Sequence, residues 1–205
     1  MYLTKLTLNL RSAQARRDLG DAYEMHRTLV RAFASDPQDS PPRFLWRLEQ
    51  TSDATQNPAV LTQSQTLADW SVLERLPNYL DCAAQTKLVN LAHLVCMDRR
   101  YRFRLLGNPT VKRQGKRLAL LTQEEQIAWI ERQGNNHGFR LLSLTIRPQE
   151  LLQSNRAGQP PICVQRVCFE GFLVVCKTDA FEQALLAGIG PAKAFGCGLL
   201  SVAPC

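Results

Sequence analysis

No CxxC pair occurs among the seven cysteines of this 205-residue chain (82, 96, 163, 168, 176, 197 and 205), and three scattered histidines accompany them. That pattern argues against a Cys/His zinc site, whose ligands come at close, regular spacing. The odd count, with several cysteines inside apolar runs such as ICVQRVCFEGFLVVC, points to reduced, buried thiols rather than a disulfide framework. No apolar run approaches the roughly 20 residues that span a bilayer, and the opening MYLTKLTLNL carries no signal-peptide core. A soluble, cytoplasmic protein with no membrane partner is expected. Acidic residues are dispersed, so the carboxylate cluster of a two-metal nuclease is missing. Neither a Gly-Lys-Ser/Thr loop nor a dinucleotide fingerprint is found. No metal and no cofactor is expected.

Basic charge is what the chain has in excess. The formal net charge is +7 and the isoelectric point near 9.2, against a hydrophobic share of 45% that suits a globular fold. Such a balance suggests a polyanionic partner, although many soluble proteins simply run basic. The placement of the charge is more telling. RRYRFRLLGNPTVKRQGKR, residues 99 to 117, holds eight basic residues and no acid. Alternation puts Tyr101, Phe103 and Leu105 on one strand face and Arg100, Arg102 and Arg104 on the other. Lys112, Arg113, Lys116 and Arg117 follow. A charged edge strand that resists aggregation would use similar residues, but an acid-free run in a basic chain favours nucleic acid.

Periodicity predicts an α+β fold. Residues 2 to 10 alternate as a strand, with Tyr2, Leu6, Leu8 and Leu10 on one side. Ala22, Met25, Leu29 and Phe33 recur at helical spacing, giving a helix from about 21 to 34, and SDPQDSPP breaks it. RFLWRLEQ, PAVLTQSQ, a helical ADWSVLERL, QTKLVNL and RRYRFRLLGNP complete a βαββαβ order, that of a ferredoxin-like unit. The second half repeats the theme. It starts from RLALL as a strand, then a helix with Thr122 and Glu125 as a capping box, then FRLLSLTIRP and ICVQRVCFEGFLVVC. A helix capped by Asp179 with Glu182 and a final strand GCGLLSVAP follow. Two tandem ferredoxin-like (RRM-like) domains are expected, residues 1–110 and 118–205.

Near the end, GIGPAKAFGCG places Gly188, Gly190, Gly196 and Gly198 around Lys193. One of these glycines serves equally well as a helix C-cap. Four around a lysine exceed what a cap needs, and bare backbone N–H groups with an ammonium suit a phosphate. On the helix over 21–34, His26 sits at the edge of the apolar stripe with Tyr23 one turn earlier, and Arg27 and Arg31 lie on the wetter flank. Spacing alone favours a half-buried boundary histidine. His93 reads as a core or strand residue and His137 as a loop residue.

These pieces together resemble one family: the CRISPR-associated endoribonuclease of the type I-E Cascade complex, often called CasE. The resemblance is carried by MYLTKLTL, AYEMHRTLVRAF, YRFRLLGNPTVKR, EEQIAWIER, VCFEGFL and above all GIGPAKAFGCGLLSVAP. It implies two ferredoxin-like folds that bind the repeat hairpin of precursor CRISPR RNA. The hairpin is cut once at its base without metal, and the product is kept within Cascade among its other subunits. His26 and Tyr23 fall where the family has its catalytic histidine and neighbouring tyrosine, and the Gly188–Gly198 loop with Lys193 matches the glycine-rich loop that lies against RNA. One segment departs: before VCFEG the chain reads SNRAGQPPICVQR, where Arg156 and Arg166 flank a proline pair and either is a candidate for the scissile phosphate.

The chemistry that fits is attack by a ribose 2′-hydroxyl, with His26 as general base, or as acid on the leaving 5′-oxygen. Tyr23 would orient the site, and cations would stabilise the phosphorane-like transition state. A non-catalytic RNA-binding scaffold would keep the basic segment and the loop but need neither Tyr23 nor His26. A cofactor-dependent enzyme would also use a glycine loop, yet no cofactor fingerprint accompanies it.

Overall fold

The computed structural model describes residues 1–34, 40–49, 56–154 and 162–205. They form two compact units, Met1–Val89 with Ala194–Gly196, and Asn90–Lys193 with Cys197–Cys205. No helix among the described residues is long and apolar enough to cross a membrane.

The first unit runs β1 (Tyr2–Thr7), α1 (Ala13–Gly20), α2 (Ala22–Val30), β2 (Phe44–Glu49), β3 (Ala59–Ser64), α3 (Ser71–Glu74) and β4 (Gln85–Leu88). Its strands pair antiparallel in the order β2-β3-β1-β4. That is the ferredoxin-like arrangement, with the first helical connection divided in two. Asp21 causes the division. Its N–H closes α1 on the Arg17 carbonyl, while its carboxylate accepts the Tyr23 N–H at 2.8 Å and caps α2. A single helix over 21–34 is therefore replaced by α2 alone, with a separate α1 before it. Helix α1 is anchored by Asp18, a fully buried carboxylate that accepts the Tyr79 hydroxyl at 2.9 Å and pairs with Arg17 at 3.0 Å. Buried charge is tolerated only with such partners. Leu10, expected on the apolar side of the first strand, lies beyond β1 and is 45% exposed.

The second unit runs α4 (Leu91–Leu94), β5 (Arg100–Gly107), β6 (Thr110–Arg113), β7 (Lys116–Ala119), α5 (Gln123–Asn136), β8 (Phe139–Ser154), β9 (Ile162–Val175), α6 (Thr178–Ala187) and β10 (Leu200–Pro204). The sheet order β10-β5-β9-β8 repeats the ferredoxin-like pattern, and β6 and β7 form a separate hairpin inserted after the first strand. Tyr101, Phe103 and Leu105 of β5 enter one core with Trp129, Phe139, Phe169, Leu173 and Phe181. The alternation predicted for this strand is observed: those three side chains are buried while Arg100 and Arg102 are exposed.

The boundary expected at 110–118 moves to Val89/Asn90. Strand β5 belongs to the second unit because it is hydrogen-bonded along its length to β9 and β10. RLALL is accordingly the second arm of the inserted hairpin and not a strand of the main sheet. The Thr122–Glu125 capping box is present, with Glu125 N–H donating to Thr122 Oγ1 at 3.2 Å. The Asp179 cap is not: α6 begins at Thr178, which puts Asp179 inside the helix, and Lys177 stands before it with no side-chain cap. Gly171 lies inside β9, where an added Cβ would meet the Ser143 carbonyl oxygen at 2.2 Å, opposite the irregularity between Leu141 and Ser143 of β8. All seven cysteines are free, but only Cys168 and Cys197 are buried, so the expectation of buried thiols fails for the others. His93 is an exposed residue of α4 and not a core or strand histidine.

Candidate active-site histidine and nucleic-acid interface

In the first unit, helix α2 presents Tyr23 and His26 one turn apart on neighbouring positions of one face. The imidazole of His26 is stacked on Phe44 of β2, with centroids 5.2 Å and planes 20° apart. Phe44 is stacked in turn on Phe33 at 4.4 Å. The Nδ1 atom of His26 is out of solvent and has no hydrogen-bond partner among the described residues. Burial lowers its pKa below the ordinary 6.5, because an imidazolium there would carry a desolvated charge. Burial thus holds His26 toward the neutral imidazole. The guanidinium of Arg27 lies 6.0 Å from the centre of the Tyr23 ring and 3.0 Å from Glu24. Arg31 is exposed just past the helix end. Both arginines line a groove of about 910 Å³ with Phe33 and Leu67.

The glycine-rich segment is less open than its composition suggests. Gly188, Gly190, Gly196 and Gly198 all take positive φ, between 74° and 93°, which explains the residue type. Gly188 is the C-cap of α6, its N–H bonded to the Ala184 carbonyl. The Gly198 N–H is bonded to the Leu106 carbonyl at 2.7 Å. Added Cβ atoms would meet the Trp129 indole at 3.0 Å from Gly190, the Trp46 indole at 3.2 Å from Gly196, and the Ile189 carbonyl oxygen at 3.0 Å from Gly198. Gly188, Gly196 and Gly198 are buried. Two of the four N–H groups expected as bare donors, those of Gly188 and Gly198, are thus bonded within the protein, and the glycines pack closely against their neighbours. Its cation, Lys193, is half-buried, and with burial as the larger cause it lowers the pKa of His137. Arg166 of β9 is half-buried too, its Nε atom without a hydrogen-bond partner among the described residues. Its charge is felt at Cys197 inside the loop, although burial still pushes that thiol up to about 12. Arg156 lies outside the described residues.

The basic run divides into two surfaces. On the β6–β7 hairpin, Lys112 stands opposite Arg117 and Arg113 opposite Lys116, all four exposed. Gln114 and Gly115 turn the chain with φ of 47° and 77°, the geometry of a tight hairpin. Like charges directly opposed across a ladder repel, and four of them concentrate positive charge at this tip. On β5, Arg102 is exposed, whereas Arg104 is held in an ion pair with Glu170, whose other oxygen lies 3.5 Å from Arg147. Arg104 is therefore engaged within the sheet. Sequence reasoning did not single out Phe44, the ring beneath His26, or Phe172, an exposed ring beside Arg102. The alternation of VCFEGFLVV gives the side of Phe172 but not its exposure. Among the described residues no three His, Cys, Asp or Glu side chains gather at metal-ligand range.

The family model described as "CRISPR associated protein" matches residues 1–204. The chain is 41% identical to the CRISPR-associated endoribonuclease Cse3 of Thermus thermophilus, with all of both chains covered. It is 30% identical to the CRISPR system Cascade subunit CasE of Escherichia coli, again over the whole of both. A solved structure of the CRISPR endoribonuclease Cse3 bound to a 19-nucleotide RNA superposes with a TM-score of 0.88 at 41% identity, covering both chains completely.

Proposed function

The chain belongs to the CRISPR-associated protein family, and from that premise we propose that it is the endoribonuclease that matures CRISPR RNA. It binds the repeat hairpin of the precursor, cuts once at the hairpin base, and remains on the product as a subunit of Cascade. Full-length likeness to Cse3 and to the Cascade subunit CasE supports the activity and the assembly. The observation that carries the chemistry is His26: a histidine on the edge of an apolar stack, kept neutral by burial, with one nitrogen turned from solvent.

A neutral imidazole accepts a proton near neutral pH, and the nucleophile closest to an RNA phosphate is the adjacent 2′-hydroxyl. His26 Nε2 takes the 2′-hydroxyl proton, and the 2′-oxygen attacks phosphorus. The bond to the 5′-oxygen breaks and that oxygen takes up a proton. One fragment ends in a 2′,3′-cyclic phosphate and the other in a 5′-hydroxyl. Tyr23, one turn from His26, orients the site. Lys193 of the loop and Arg166 of β9 are cations offered to RNA phosphates. The stem is read by shape and phosphates, with the Lys112–Arg117 hairpin as the basic ribbon that engages its groove. Four exposed free thiols, Cys82, Cys163, Cys176 and Cys205, support a reducing, cytoplasmic setting.

The test is incubation of the protein with the repeat RNA of its own host in EDTA. A single cut with cyclic-phosphate and 5′-hydroxyl ends is expected. Binding without cutting would make the protein a scaffold.

A further inference from the structure

The open face of the second sheet carries an aromatic ring that the hairpin-cutting site does not use. Phe172 sits on β9, an interior strand, yet is 44% exposed. Its neighbours in the row are Arg102 of β5, directly opposite, then Ala203 of β10 beyond Arg102, and Ser143 of β8 on the other side. All of these are exposed. Ala203 and Ser143 are too short to cover the ring, and among the described residues no other ring or guanidinium stacks on it. In the next row Arg100 and Arg140 flank Val174. In the row on the other side Glu170 is taken up by Arg104 and Arg147. The face therefore offers one bare phenyl among five arginines and one carboxylate.

We propose that this face is a platform for unpaired RNA, with Phe172 stacking one base and Arg100, Arg102 and Arg140 holding the phosphates on either side. The charge excess selects a polyanion over a protein surface. The ring selects among polyanions. Bases inside a duplex are already stacked on one another, whereas an unpaired base has a free face for an aromatic side chain on an open four-stranded sheet. The ligand is then single-stranded RNA, and where the chain acts on a repeat hairpin it is the unpaired stretch next to that hairpin. Only this last identification rests on the function proposed above.

The experiment measures affinity of the full chain for three RNAs: an unpaired pyrimidine decamer, a blunt repeat hairpin, and that hairpin with a single-stranded extension. Phe172→Ala is expected to weaken binding of the decamer and of the extended hairpin by about 5- to 150-fold, as removal of one base–aromatic stack would. It should leave the blunt hairpin unchanged. Phe172→Tyr should restore both, and Arg102→Gln should lower the salt dependence of decamer binding. No binding of the decamer by the wild type, an unaltered decamer affinity in Phe172→Ala, an equal loss on the blunt hairpin, or failure of Tyr to rescue would each overturn the platform. So would a Phe172→Ala variant that fails to join its partner subunits while keeping its RNA affinities, since the face would then dock protein. Should the wild type ignore the blunt hairpin while the decamer results hold, the platform stands and the hairpin-cutting function falls.

Discussion

His26 is stacked on Phe44, their ring centroids 5.2 Å apart, in a half-buried setting that lowers the pKa of the imidazole. Burial among aromatic carbon disfavours the charged form. An NMR titration of the His26 ring should show a midpoint below 6.5, and Phe44→Leu, which opens the stack, should move it upward. A midpoint at or above 6.5 in the wild type would remove the reason to cast His26 as a base.

The same shift has a consequence for stability. A histidine whose folded pKa is lowered binds its proton more readily when unfolded, so stability is complete above the unfolded value near 6.5 and is lost as pH falls below it. His26 and His137 both contribute in this direction. Denaturant midpoints should decline on acidification below pH 6.5, less steeply in His26→Gln than in the wild type. An equal slope in the two proteins would show that His26 is not desolvated in solution.

For catalysis, His26→Ala should abolish cleavage while hairpin affinity stays within a few fold, because the residue moves a proton and supplies little grip. Tyr23→Phe should slow cleavage less. Single-turnover rates beside binding isotherms separate the two effects; a loss of affinity matching the loss of rate would make His26 a binding residue.

On the hairpin, replacing Lys112 and Arg113 with Gln removes two charges that face Arg117 and Lys116. RNA binding should weaken, and its salt slope should fall by roughly 0.7–0.9 for each RNA phosphate that the variant no longer neutralises. The fold should hold or gain slightly, since the substitution relieves like-charge pairs. An unchanged slope would leave these residues as a charged guard on a strand edge.

Substitution in the glycine loop should act on the fold first. Gly198→Val places a β-branched side chain at φ of 93°, with its Cβ 3.0 Å from a carbonyl oxygen. A destabilisation of about 1–3 kcal/mol follows from strain of this kind, visible as a lower Tm in the absence of RNA. Normal melting with impaired RNA binding would restore the glycines to direct engagement of the RNA.

What was legible in the sequence was local. The alternation of RRYRFRLL identified both faces of β5, and Thr122 with Glu125 announced the start of α5. Helix α1 was hidden because it buries only Ala15 and Asp18 and is interrupted by arginines, leaving no apolar stripe to find. The domain boundary was hidden for a different reason: β5 is assigned by its pairing with β9 and β10, sixty or more residues downstream in the register. In the site, His26 and Tyr23 could be placed on one helix face, but their neighbour Phe44 arrives from another strand. The glycines were visible as a cluster, while the indoles and carbonyls that demand them were not.

Removal of one oxygen atom from the substrate tests the chemistry most directly. A repeat hairpin carrying 2′-deoxyribose at the nucleotide just upstream of the cut lacks the nucleophile that His26 would activate, yet keeps every phosphate and the whole stem. In EDTA the all-ribose hairpin should be cut, and the deoxy hairpin should bind within a few fold and remain intact. Cutting of the deoxy hairpin, at any measurable rate above that of His26→Ala on the natural RNA, would mean that the 2′-hydroxyl is not the attacking group.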